Sequence, residues 1–133
     1  MPRTPQETFH ELTGRIAALI SGKTESAAGG PAALYAERAH VSFPLTPGAG
    51  PLRGRDELRA HFTAVAAGFA GVVTDLRTEG VRILETADPE VIVAEFHYVA
   101  TTPQGAMTLP NAFIMRVRNG EIVESRDYAA TPA

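Results

Sequence analysis

The chain of 133 residues has no cysteine, no surplus of basic charge and no apolar run approaching the about 18 residues of a membrane span. Each absence closes a class of function. Without cysteine there is no disulfide framework, no thiolate nucleophile and no zinc–thiolate centre. Twelve Lys and Arg against 15 Asp and Glu leave a net charge of -3, which is no electrostatic footprint for nucleic acid. The four histidines are scattered, with no His-x-His or His-Glu-x-x-His spacing, so no metal site is expected. Gly29-Gly30 is not followed by phosphate-loop residues, and no nucleotide fingerprint occurs. The N-terminus lacks the apolar stretch of a signal peptide, so cytoplasmic residence is expected.

Hydrophobic residues make up 44% of the chain and charged residues 20%, the balance of a globular domain able to bury a core. A single domain over residues 1–133 is expected. Thr4, Pro5 and Glu7 form a capping box with proline at the first helical position. Phe9, Leu12, Ile16 and Leu19 then repeat at helical spacing, predicting a helix over 5–21. Gly29-Gly30-Pro31 breaks it, and a short helix over 31–37 and a brief strand over 40–44 follow. The stretch 44–54, rich in Pro and Gly, reads as an irregular loop, either a rim of the site or a plain surface connection. A second long helix starts at Arg55 or Asp56 and buries Leu58, Phe62, Val65 and Phe69. Four strands are predicted after it, over 72–85, 90–101, 107–118 and 121–130. Helices first and strands afterwards argue an α+β fold, with helices packed on a curved antiparallel sheet that encloses a pocket.

The last two strands carry the sharpest signal. Asn119-Gly120 between alternating apolar residues is a hairpin turn, because both residues tolerate φ > 0. Strict alternation sets Val123, Ser125 and Asp127 on one face of the last strand and Ile122, Glu124 and Arg126 on the other. A carboxylate on the inner face costs several kcal/mol unless it is paired or used. Asp127 is therefore a candidate acid or base, the alternative being a surface or interface Asp paired with Arg126 or Arg116.

Four segments in order carry a family resemblance: LYAERAHVSFP over 34–44, GRDELRAHF over 54–62, VIVAEF over 91–96 and NGEIVESRDY over 119–128. Together they resemble the NTF2-like, ketosteroid-isomerase-like cone, and within it the SnoaL-like proteins. The resemblance implies the α+β cone with a pocket at its mouth, and it spans nearly the whole chain. It implies no single reaction, because this fold hosts isomerases, cyclases, epoxide hydrolases, dehydratases and non-enzymes. The aspartate base of ketosteroid isomerases would fall at Phe43, their helix tyrosine near Arg15 or Ile16, and their second aspartate near Ala112. None of these can do that work. Limonene epoxide hydrolases place an aspartate base in a Trp-Arg-Asp-Tyr segment, which Ser125-Arg126-Asp127-Tyr128 matches at three of four positions. Their second requirement, an Arg-x-Asp on an earlier strand, is replaced by Phe96-His97-Tyr98.

On this resemblance Asp127 is the expected acid or base. His61 is its expected relay, or else a half-exposed histidine on a helix flank. Asn111 and Tyr98 are expected to hold a carbonyl or hydroxyl oxygen, although Asn111 has the alternative of bonding only to backbone. Tyr35, Phe43, Phe62, Phe96, Phe113 and Met115 are expected to form the walls; Tyr35 and Tyr98 have the alternative of ordinary core packing with the hydroxyl at a rim, which is the better reading of Tyr35. His97, with Glu95, is placed on the outer face, and His10 and His40 look peripheral. The expected activity is cofactor-independent acid–base chemistry (cyclisation, isomerisation, dehydration or epoxide opening) on a small apolar oxygenated molecule such as a polyketide. The alternative is a non-catalytic small-ligand binder of the same fold with a vestigial site. A homodimer is expected in either case, through a polar outer face bearing Glu95, His97, Arg116, Arg118, Glu124 and Arg126.

Overall fold

The computed structural model describes residues 1–23 and 29–129. Its elements are α1 (Pro5–Ile20), a 3-10 turn (Pro31–Leu34), β1 (Tyr35–Ser42), β2 (Leu52–Arg53) and α2 (Arg55–Phe69). The remaining strands are β3 (Asp75–Glu85), β4 (Val91–Thr102), β5 (Gly105–Arg118) and β6 (Glu121–Ala129). Ala130, which the sequence assigns to the last strand, lies outside the described residues.

Six strands form one sheet in the order β2-β1-β6-β5-β4-β3. β3 to β6 are the expected antiparallel meander, joined at Asn119 (φ 52°) and Gly120 (φ 77°) by the turn that both residues permit. The Gly120 backbone also runs against the chain start, where an added Cβ would sit 3.1 Å from the Arg3 amide nitrogen. β1 pairs parallel with β6, so the sheet is only mostly antiparallel.

Two expectations about the first half are corrected. The short helix over 31–37 shrinks to the Pro31–Leu34 turn, and the first long strand begins at Tyr35 rather than His40. The edge of β6 offers the 35–42 backbone a ladder of hydrogen bonds, and such a tertiary ladder overrides a weak local helix preference. Within the predicted loop, Leu52 and Arg53 pair with Val41 and His40 as the edge strand β2. Arg55 then clips the start of α2 to the sheet: its Nε donates to the Tyr35 carbonyl at 3.0 Å and its Nη2 to Glu121 at 3.1 Å.

One inner sheet face is covered by both helices, and they cover it differently. The capping box at Thr4 and Glu7 starts α1 as expected, and Phe9, Leu12 and Ile16 are buried. Phe9 packs edge-on to Phe96 (ring centroids 5.1 Å) and Phe113 (6.4 Å), which closes the core under α1. On α2 only Leu58 is fully buried; Phe62, Val65 and Phe69 keep partial exposure because they face a cavity. Among the described residues no helix is long and apolar enough to cross a membrane.

Truncating Phe9 to Ala should therefore lower stability by about 3–5 kcal/mol in urea unfolding. Leu45→Ala, on a residue 59% exposed, should stay within about 0.5 kcal/mol.

Candidate active site

The cavity lies between the inner sheet face and α2, with α1 closing one side, and its volume is about 220 Å³. Strand register builds its sheet wall in rows. Leu76, Ala100 and Met107 form one row, and Tyr98 stands beside Leu109 in the next. Asn111 pairs with Ala129, and Phe113 pairs with Asp127. The opposite wall is Phe62, Val65 and Phe69 of α2, with Val41 and Phe43 from the β1 side.

Asp127 reaches this wall through an irregularity that strict alternation does not contain. Arg116 faces Glu124 and Val117 faces Ile122, so Val123 has no β5 partner and forms a bulge. Ile122 is thereby turned inward and fully buried, and Ser125 and Asp127 follow it on the same face. The expected grouping of Val123 with Ser125 and Asp127 is corrected: Ile122 takes the place of Val123 in the core.

Among the described residues the Asp127 carboxyl has no cation beside it. Arg116, one suggested partner, is held instead by Asp88 at 2.8 Å and Glu90 at 3.0 Å. Arg126, the other, is exposed on the opposite face. Asp127 keeps some accessible surface, but that surface opens on apolar walls rather than on bulk water. Burial consequently raises its pKa to about 7, against an opposing hydrogen bond from Ser125. Ser125 Oγ donates to Asp127 Oδ1 at 2.5 Å, the short length of a charge-assisted bond.

Two phenols stand near this carboxyl. Tyr98 and Tyr35 have their pKa values raised, first by burial and then by the Asp127 charge, so both remain protonated donors. The Tyr98 hydroxyl is buried and has no hydrogen-bond partner among the described residues, which costs about 1–3 kcal/mol unless something in the cavity accepts it. His61 lies on the α2 wall with its ring 5.4 Å from those of Phe43 and Phe62, and burial lowers its pKa. Neutral imidazole is its state near pH 7.

The structure brings Asp127, His61, Asn111, Tyr98, Tyr35, Phe43, Phe62 and Phe113 to one cavity. Two of the proposed wall residues do not belong there. Phe96 and Met115 are 2% and 0% exposed and lie in the core, Phe96 wedged among Phe9, Tyr98 and Phe113. They share the inward face, as alternation requires, but Phe96 lies where α1 has already filled the space. No hydrogen bond joins His61 to Asp127, and neither group shifts the other's pKa, so the expected direct relay is not formed. The Asn111 amide donates to the Leu109 carbonyl at 2.8 Å, two residues back on its own strand, as its alternative allowed. His97 and Glu95 are exposed on the outer face. Among the described residues no group of three or more His, Asp or Glu is placed to hold a metal ion.

Met107 and Leu109 are wall residues the sequence did not single out. Their alternation with Asn111 was readable, but their place at the cavity depended on the β4–β5 register. Ser125 was visible beside Asp127 as a same-face neighbour; its role as donor was not.

Two helices on a curved six-stranded sheet around an apolar pocket define an NTF2-like, ketosteroid-isomerase-like cone. Within that class the chain belongs to the SnoaL-like domain family, whose model matches residues 15–125. An uncharacterised PhzA/B-like protein of Pseudomonas aeruginosa is 32% identical over 92 residues, covering 66% of this chain and 62% of that relative. Among solved structures, an NTF2-like protein of Anabaena variabilis superposes with a TM-score of 0.69 at 20% identity, over 96% of this chain and 87% of that one. A candidate polyketide cyclase of Pseudomonas putida superposes at 0.67 and 16% identity, over 95% and 91%. At such identities the two structures establish the fold alone.

The raised Asp127 pKa makes a signed claim about stability. The native state keeps this proton up to about pH 7, whereas the unfolded chain releases it near the ordinary value of 3.8. Its contribution is therefore complete below that lower value and is lost as pH rises through about 7. His61, with its lowered pKa, acts in the opposite sense and destabilises as pH falls. In urea titrations, the stability of the wild type relative to Asp127→Asn should fall between about pH 4 and pH 7, by on the order of 1 kcal/mol per pH unit. A flat difference would mean that Asp127 is solvated.

Proposed function

We propose that this protein is a cofactor-independent acid–base enzyme acting on a small, neutral, apolar molecule that carries a carbonyl or hydroxyl oxygen. The observation that carries the proposal is a carboxyl titrating near 7 on the wall of an apolar cavity with no cation beside it. A general base or acid works best when its pKa lies near the ambient pH. In the forward step Asp127 removes a proton from carbon or oxygen of the substrate. The Tyr98 hydroxyl donates to the oxygen on which negative charge grows, and low local polarity strengthens that bond. The same carboxyl returns the proton elsewhere on the substrate, which completes a cyclisation, an isomerisation or a dehydration. In an epoxide opening it would instead draw the proton from an attacking water. A candidate polyketide cyclase shares the fold, and small oxygenated ring compounds are the substrate class we take from it as the first to test.

Size and charge narrow this further. A cavity of about 150 Å³ is enough for benzene, so about 220 Å³ suits a molecule of one or two rings. Among the described residues no Lys or Arg lines the cavity, and an anionic substrate would meet the Asp127 charge with none of them to offset it. A ketone or phenol fits better than a carboxylate or a phosphate.

A second reading, a non-catalytic binder in the same cavity, draws on two contacts. His61 has no orienting carboxylate, and one Asn111 N–H is already engaged by the backbone.

Deuterium exchange distinguishes the two. With small cyclic ketones in D2O, the wild type should speed exchange of the α-protons followed by NMR, with a rate that rises through about pH 7 as Asp127 ionises. Asp127→Asn should lose about 10²–10⁴-fold of that rate while keeping its melting temperature or gaining a little. Exchange retained in the variant would remove Asp127 from the role. Ligand-induced shifts without any catalysed exchange would favour the binder.

A further inference from the structure

Asp127 has two carboxylate oxygens in unequal surroundings. Oδ1 accepts the 2.5 Å bond from Ser125, the one hydrogen bond that the carboxyl receives among the described residues. Among the described residues Oδ2 has no hydrogen-bond partner, and it is not fully buried, on a residue whose accessible side borders the cavity. Ser125 itself is 2% exposed and does not line the cavity, so it cannot touch a ligand. It sits between Met115 on β5 and Val41 on β1, whose side chains offer its hydroxyl nothing stronger than a weakly accepting thioether. The Val123 bulge turns it inward two residues before Asp127, where period-two geometry sets the hydroxyl directly beside the carboxyl.

A serine hydroxyl in an apolar core needs such a use. Burying it without a partner would cost free energy that an alanine at the same place would not. Among the described residues the acceptor it is bonded to is the Asp127 carboxyl, the group on which the proposed chemistry depends.

We propose that Ser125 is the positioning residue of the site, holding Asp127 by Oδ1 so that Oδ2 is the oxygen presented to the substrate. The proposal rests on Asp127 being the reactive carboxyl. Without the bond, a carboxyl on a short side chain is free to rotate about its last torsion, and neither oxygen has a defined direction toward the ligand. The bond also favours the ionised form, opposing the desolvation that drives the pKa upward. The other titratable groups around the cavity are Tyr98 on β4, Tyr35 at the head of β1 and His61 on α2. Both phenols stay protonated through the neutral range and His61 is uncharged there, so none of them supplies a charge that would mask the serine.

A carboxyl-carbon NMR titration of Asp127, with aspartate labelled and the signal assigned by its loss in Asp127→Asn, tests this without any turnover assay. The wild-type midpoint should lie near 7. Ser125→Ala should move it up by about one pH unit, the size that a charge-assisted hydrogen bond supports. Ser125→Cys, close in volume and a weak donor, should move it the same way, and it carries the test if the alanine variant fails to fold. Midpoints unchanged in whichever of these variants folds would overturn the proposal. Orientation has its own readout. At a pH above both midpoints, where Asp127 is ionised in wild type and variant alike, Ser125→Ala should lower kcat for ketone exchange by about tenfold while KM stays the same. An unchanged kcat there would overturn the positioning role, even if the midpoint had moved. Exchange that survives Asp127→Asn would instead count against the proposed function, leaving the titration result as it stands.

Discussion

One apolar sheet face has two helices to cover it, and the unequal way they do so shapes everything at the site. α1 presses Phe9, Leu12 and Ile16 onto the sheet, where Phe9, Phe96 and Phe113 interlock edge to face. α2 is tied down at its start by Arg55 and Leu58, while Phe62, Val65 and Phe69 border the cavity on its inner side, Phe62 keeping its ring 6.1 Å from that of Tyr35. Close packing under one helix and a gap under the other follow from the same hydrophobic driving force. The gap is the cavity, and it is apolar because both of its walls are faces that would otherwise be core.

An acid set into such a wall behaves unlike the acids outside it. Asp88 and Glu90 lie on the surface beside Arg116 and Arg118, and backbone and arginine hydrogen bonds hold their pKa values below the usual range. Asp127 has one hydroxyl for company and no cation, and burial drives it the other way. The chemistry is identical and the surroundings decide the direction. Two raised phenols and a depressed imidazole in the same cavity are further signs of the same desolvation.

Much of this was legible from local pattern. The capping box, the buried Phe9, Leu12 and Ile16 of α1 and the Asn119-Gly120 turn rest on interactions between residues close in the chain, and each formed as expected. So did the meander, because period-two alternation survives whatever the strands pair with. The failures share one cause. The 31–37 segment became turn and strand because β6, far along the chain, offered its backbone a partner. Val123 and Ile122 exchanged faces because the bulge is a property of the β5–β6 pairing. Phe96 and Met115 carried the right facing for wall residues, yet only the position of α1 could show that Phe96 stood where no space remained.

Sequence alone thus determined the class of fold, the carboxyl at position 127 as the residue to question, with an inward and an outward reading, and the apolar character of the inner faces. Those properties belong to residue type and spacing, which tertiary contacts do not change. Tertiary structure decided the rest: that Asp127 has no cation beside it, that Tyr98 has an unused hydroxyl, that His61 does not reach the carboxyl and that Ser125 does. These are relations between elements brought together by register and helix position. A distance of 2.5 Å between two side chains is the outcome of the whole packing, and no run of residues states it in advance.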